Sequence, residues 1–242
     1  MFSTEIEKFI QAKKYLRFSP KAVFFDMDGV LYDSMKSHTS AWTKALRSVG
    51  LPFTEYEAYM NEGRTGASTI DGVFMKVYGR EATEDEKQTI YAIKSEFFEA
   101  CNETLPMPKV FDLLKKVKEQ KLDIFVVTGS AQPTLIDGLD SSFPGIFIRT
   151  KMVTAFDVHY CKPHPEPYLT ALKKSGLQPW EVLVIENAPL GVESATAAGL
   201  FTIAVNTGPL DPQILHESGA NLVFDNMNDL YKNWNAFSSN WQ

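Results

Sequence analysis

The sequence predicts an α/β protein, a doubly wound parallel sheet interrupted after its first strand by a block of helices. Two observations carry this. The short runs AVFF, DIFVV, VLVI and FTIAV are apolar almost throughout, as strands covered on both faces are. From residue 109 onward such runs alternate with helical patterns, which implies right-handed crossovers and parallel pairing, whereas residues 34–104 hold helical patterns alone.

In order, residues 3–16 form an amphipathic helix with Ile6, Phe9 and Ile10 on one side. Residues 21–26 are the first strand, which ends in an acid. Helices follow at 37–49, 55–60, 69–77 and 83–104, broken at Gly50-Leu51-Pro52, at 63–66 and at Gly79. The alternating part then reads helix 109–119, strand 122–127, helix 132–139 and a short strand at 145–149. It continues with helix 165–176, strand 182–185, helix 190–199, strands 201–205 and 222–224, and helix 227–234. The expected division is a core of residues 1–33 and 108–242 around a helical insert of 34–107. Its hinges fall at Asp33-Ser34 and at Leu105-Pro106-Met107-Pro108.

With 242 residues the chain is long enough to bury a core without staples, and 44% hydrophobic with 22% charged residues is a globular composition. Two cysteines, Cys101 and Cys161, build neither a disulfide framework nor an all-cysteine zinc site. No apolar run approaches the roughly 18 residues of a membrane span. Residues 1–16 carry charges throughout, so a cytoplasmic protein is expected. The net charge of −6 argues against nucleic acid as the main partner, but not against a small anion held locally by a metal ion, a few cations and helix N-termini. His38, His159, His164 and His216 show no metal-ligand spacing, and Lys115, Lys116, Lys118 and Lys121 read as a solvated helix face.

Ligands of open α/β sheets bind beyond the carboxyl ends of the strands, and four polar groups fall there or close by. Asp26 and Asp28 follow the first strand; they suit a carboxylate nucleophile and an acid/base beside Mg2+, or two ordinary capping acids. Thr128-Gly129-Ser130 follows the next strand as a phosphate seat, or as a plain helix N-cap. Lys162 precedes three closely spaced prolines, where a fixed ammonium can pair with Asp26 and phosphate; most lysines are instead solvated. Glu186-Asn187 follows VLVI and offers oxygens to a Mg2+ shell, or a cap. Each plain reading stands alone, but together they require four independent accidents. No G-x-G-x-x-G follows the first strand, which disfavours a dinucleotide-dependent dehydrogenase.

These stretches resemble the four motifs of the haloacid dehalogenase (HAD) superfamily: FDMDGVLYDS, VVTGS, KPHPEPY and IENAPLGVESATAAG. The insert resembles its C1 cap, and the resemblance spans residues 21–230. Within the superfamily the chain is similar to the β-phosphoglucomutase-like branch. EGRTGAST, MVTAFDV, IENAPLGVE and FTIAVNTGPLD resemble the inorganic pyrophosphatases of that branch. The resemblance implies a Rossmann-like core with a helical cap and a Mg2+-dependent phosphohydrolase working through an aspartyl phosphate. Pyrophosphate is the expected substrate, and a β-phosphoglucomutase or a hexose-phosphate phosphatase are the alternatives with the same core. A non-catalytic phosphometabolite sensor is a further alternative, against which the intact acids speak.

By residue, the resemblance implies Asp26 as nucleophile and Asp28 as acid/base. Thr128, Gly129, Ser130 and Lys162 would hold the phosphoryl group. Mg2+ would lie among the Asp26 carboxylate, the Asp28 carbonyl, Asn187 and the neighbouring Glu186. Asn187 departs from the usual aspartate and removes one negative charge. That motivates a further expectation: Glu62, in the loop NEGRTGAS, reaches the metal when the cap closes, and Arg64 holds the leaving phosphate. The plain reading of the pair is a surface ion pair. The expected partner is a small phosphorylated substrate, and the chain is expected to be a monomer with neither nucleic acid nor membrane as partner.

Overall fold

The computed structural model describes residues 2–101, 104–130 and 133–241, with the side chains of 133–136 left aside. Six parallel strands form one sheet: β1 (Ala22–Phe25), β2 (Asp123–Val127), β3 (Met152–Val153), β4 (Val182–Glu186), β5 (Phe201–Val205) and β6 (Leu222–Phe224). The spatial order is β3-β2-β1-β4-β5-β6, so the chain winds outward from β1 in one direction and then, from β4, in the other. The reversal leaves a crevice at the carboxyl ends of β1 and β4. Phe25 pairs with Val126 and with Ile185, and this register brings the residues after all three strands to one edge.

Both faces of the sheet are buried, which is why its strands read as continuous apolar runs. On one face Val23, Phe25, Ile124, Val126, Leu183 and Ile185 join residues of α1 (Phe2–Lys13), α6 (Val110–Glu119) and α11 (Met227–Ser238). On the other, Phe24, Phe125 and Val184 meet α8 (Glu166–Ser175) and α9 (Pro189–Ala197) through Tyr168, Ala171 and Ala195. Burying one such phenylalanine contributes on the order of 2–3 kcal/mol.

Between β1 and β2 lie α2 (Met35–Ser48), α3 (Glu55–Met60), α4 (Gly66–Tyr78) and α5 (Glu84–Glu99). Thr54 and Thr83 open α3 and α5 with capping boxes, each accepting from the third helical N–H while Glu57 or Glu86 accepts in return. Gly79 closes α4 in the left-handed conformation. The insert has its own core of Leu46, Leu51, Phe53, Ile70, Phe74 and Ile90. Its Ala41 and Phe98 instead join the core beneath the sheet. The two connecting chains run side by side, with Asp33 N donating to Leu105 O and Met107 N to Leu31 O.

Two elements differ from expectation. Residues 145–149 form no strand; the edge strand is Met152–Val153, preceded by a 3-10 turn, and two residues of pairing leave no apolar period to read. Helix α10 (Pro212–Glu217), capped by Asp211, is six residues long and carried no recognised signal. Helix α7 (Pro133–Ser142) covers most of the expected 132–139, of which residue 132 lies outside the described residues. Residues 102 and 103 of the expected helix 83–104 lie outside them as well. Among the described residues no helix is long and apolar enough to cross a membrane.

Candidate active site

Beyond the carboxyl ends of β1, β2 and β4 the structure gathers Asp26, Asp28, Thr128, Lys162, Glu186 and Asn187, all buried. Lys162 is the hub. Its Nζ donates to Asp26 Oδ1 at 2.5 Å, to Glu186 Oε1 at 2.6 Å and to the Val127 carbonyl at 3.0 Å. Burial alone would lower its proton affinity, but Asp26 and Glu186 overcome it and hold the ammonium form firmly.

Glu186 is more fully engaged than expected for a free metal ligand. Its Oε1 also accepts from Tyr168 Oη at 2.7 Å, and its Oε2 accepts from Asn187 N at 3.1 Å. Gly191 leaves the space this carboxylate occupies, since a Cβ there would collide with it.

Asp28 Oδ1 accepts from Ser34 Oγ at 2.6 Å and lies 3.1 Å from His38 Nε2. A carboxylate only accepts, so Nε2 carries the proton of that contact. Burial favours the neutral acid, but His38 and Ser34 outweigh it, and the proton affinity of Asp28 falls below the ordinary carboxylate value. Asp26 moves the other way, to about 8, through burial and then the charges of Glu186 and Asp28, with Lys162 only partly opposing. Thr128 Oγ1 accepts from Ser130 N at 2.9 Å, a local turn that orders the loop carrying Gly129.

The insert adds Glu62. Both of its carboxylate oxygens accept from Asn187 Nδ2, at 3.0 and 3.1 Å, so this loop does reach the core. Burial first, and then Asp26, push the proton affinity of Glu62 well above normal. Asn187 Oδ1 is buried with no hydrogen-bond partner, as is Arg64 Nε. Arg64 Nη1 donates to Ser68 Oγ at 3.2 Å. A buried amide oxygen without a donor beside carboxylates in excess of cations fits a bound Mg2+. Among the described residues no three His, Cys, Asp or Glu side chains are grouped to hold a metal; the set here relies on an amide and a backbone carbonyl instead.

Two groups escaped the sequence reading. His38, read there as bland, sits on α2 and stacks on Phe98 with ring centroids 4.3 Å apart. Lys94 on α5 is buried, with Nζ 4.8 Å from the Phe98 ring centroid and 5.7 Å from those of Trp42 and Tyr91. Burial lowers its proton affinity to about 8, against the opposing pull of Asp28. Both line, with Asp26, Asp28, Arg64 and Thr128, a cavity of about 340 Å³ between insert and core. His38 stands ten residues after Asp28 and is the more recoverable; nothing local marks Lys94.

Comparison with known proteins adds three findings. Residues 20–199 match the family model of haloacid dehalogenase-like hydrolases. Hexitol phosphatase A of Escherichia coli is 32% identical over 81% of this chain and 88% of its own, and the beta-phosphoglucomutase of Bacillus subtilis is 27% identical over 87% and 91%. A solved structure from Bacteroides vulgatus, provisionally assigned as a beta-phosphoglucomutase, superposes with a TM-score of 0.96 at 50% identity, covering 100% of this chain and 98% of that one.

Proposed function

The chain belongs to the haloacid dehalogenase-like hydrolases, in the β-phosphoglucomutase-like branch, and from that premise we propose that it is a Mg2+-dependent phosphohydrolase whose preferred substrate is inorganic pyrophosphate. The observation that carries the choice of substrate is Glu62 held against Asn187, because it brings the insert down onto the phosphoryl site. Mg2+ would be held by the Asp26 carboxylate, the Asp28 carbonyl, Asn187 Oδ1 and Glu62. When bound it supplies the positive charge that Asp26 and Glu62 otherwise lack. Glu186 serves Lys162 rather than the metal, since its oxygens already accept from Lys162, Tyr168 and Asn187 N.

In the first step Asp26 attacks the phosphorus. The Asp26 O–P bond forms, the bridging P–O bond breaks with its electron pair, and orthophosphate leaves. Lys162 and the 128–130 loop hold the transferred group, while Arg64 and Lys94 face the leaving phosphate. In the second step Asp28 takes a proton from water as the water oxygen bonds to phosphorus, and the Asp26 O–P bond breaks. Two orthophosphates result. Ser34 and His38 stabilise Asp28 as the carboxylate this second step needs. A departing phosphate also needs less protonation than a sugar hydroxyl.

One observation favours a second reading. The cavity extends from Asp26 to Trp42 and Tyr91, an apolar wall suited to a sugar, and its size lies within the range of small-ligand pockets. A hexose-phosphate phosphatase would use that wall. Phosphate release from pyrophosphate and from a panel of hexose phosphates, with and without Mg2+, decides. A lead of about 100-fold for pyrophosphate, roughly 2.7 kcal/mol of transition-state discrimination, is expected. Turnover of hexose phosphates with pyrophosphate ignored selects the second reading.

A further inference from the structure

The insert rests on the core at two glycines. A Cβ built on Gly129 would lie 2.5 Å from the Gly63 carbonyl oxygen, and one on Gly208 would lie 2.8 Å from Cε1 of Tyr59. Neither glycine has a positive φ, so the backbone at these positions tolerates other residues; only the approach of the insert excludes a side chain. Gly129 follows β2 and Gly208 follows β5, the strands that flank β1 and β4. The two contacts therefore stand on opposite sides of the crevice, and the insert is seated on both rims at once.

Tyr59 is also mechanically tied to Glu62. It lies near the end of α3, its carbonyl accepts from Glu62 N at 3.4 Å, and Asn61 N donates to Glu57 O at 3.0 Å. Lifting the Tyr59 ring off Gly208 thus withdraws the Glu62 carboxylate from Asn187. Closure depth and the position of that charge are one variable.

We propose that Gly208 under Tyr59, with Gly129 under the Gly63 carbonyl, sets how deeply the insert closes, and that this depth selects a compact phosphoanhydride over a phosphorylated sugar. The choice of substrate rests on the pyrophosphate reading above; the seam itself does not.

Gly208→Ala is the test, because it wedges the seam without touching the residues assigned to chemistry. The kcat/KM ratio of pyrophosphate to a hexose phosphate is expected to fall by about tenfold or more, since a shift near 1 Å misplaces Glu62. Hydrogen–deuterium exchange over residues 59–66, with Mg2+ and inorganic phosphate present, is expected to quicken. Tyr59→Trp, which enlarges the ring instead of the glycine, gives the same two changes if Gly208→Ala fails to fold. In a Tyr59→Ala background the added methyl group meets open space and produces no further change. Unaltered exchange and an unaltered ratio in Gly208→Ala overturn the proposal. If the wild-type protein ignores pyrophosphate, the substrate reading fails on its own. Exchange over 59–66 still judges the seam, and unaltered exchange rejects it.

Discussion

Glu62 carries a charge from the insert into a site otherwise built from core carboxylates. Substituting Gln keeps the shape and one of the two hydrogen bonds from Asn187 Nδ2 but removes the charge. The Mg2+ concentration for half-maximal turnover is therefore expected to rise by about 10- to 100-fold, the usual scale for a weakened metal shell, as titration calorimetry with Mg2+ would also show. Lys94 works against stability. Its proton affinity falls from the ordinary 10.5 to about 8 because it is buried. Between those values the unfolded chain holds a proton that the folded chain has released, so stability rises with pH across that window. Below it, the buried ammonium costs stability. Lys94→Met is expected to stabilise the protein at pH 7 by about 1–3 kcal/mol, to flatten the rise between pH 8 and 10, and to slow turnover. Urea unfolding at pH 7 and 9.5 reads the first two, and an unchanged pH slope would count against the burial argument.

At the scale of elements, α1 is a structural helix. Phe9 packs edge-on to Tyr15, Phe18 and Phe201, with centroids 5.5, 5.7 and 5.2 Å away, beneath a sheet already covered by α11. Phe9→Ala is expected to cost about 3–5 kcal/mol in chemical denaturation while kcat stays unchanged, because the cavity lies at the far ends of the strands. The sheet was legible because β1, β2, β4 and β5 are buried on both faces, so their runs are apolar without alternation. β3 was not, since its two residues owe their pairing to β2 rather than to any pattern of their own. The same division applies to the site. Asp26, Thr128, Glu186 and Asn187 sit at or next to strand ends, where topology alone assembles them. His38 and Lys94 arrive on helices of the insert; His38 stands only ten residues from Asp28, whereas the approach of Lys94 to Asp28 depends on long-range packing that no local spacing encodes.

Among the described residues the insert keeps a core of its own, apart from the cores on the two faces of the sheet, and meets them at a narrow join. Leu46, Ile70 and Phe74 belong to the insert, while Ala41 and Phe98 anchor its base beneath the sheet. The paired connecting chains, Asp33 to Leu105 and Met107 to Leu31, allow rotation about the join without breaking either core. Such an arrangement is expected to open in parts, the insert before the sheet. Leu46→Ala places the test, because Leu46 is fully buried within the insert. Its cost, about 2–5 kcal/mol, should fall on α2–α5 alone. Native-state hydrogen exchange is expected to accelerate there and to leave β1 and β4 at their former protection. Equal acceleration in the sheet would mean that the chain unfolds as one cooperative unit. Insert motion would then be limited to rigid rotation at the join, and Glu62 could leave Asn187 only when the whole insert swings away.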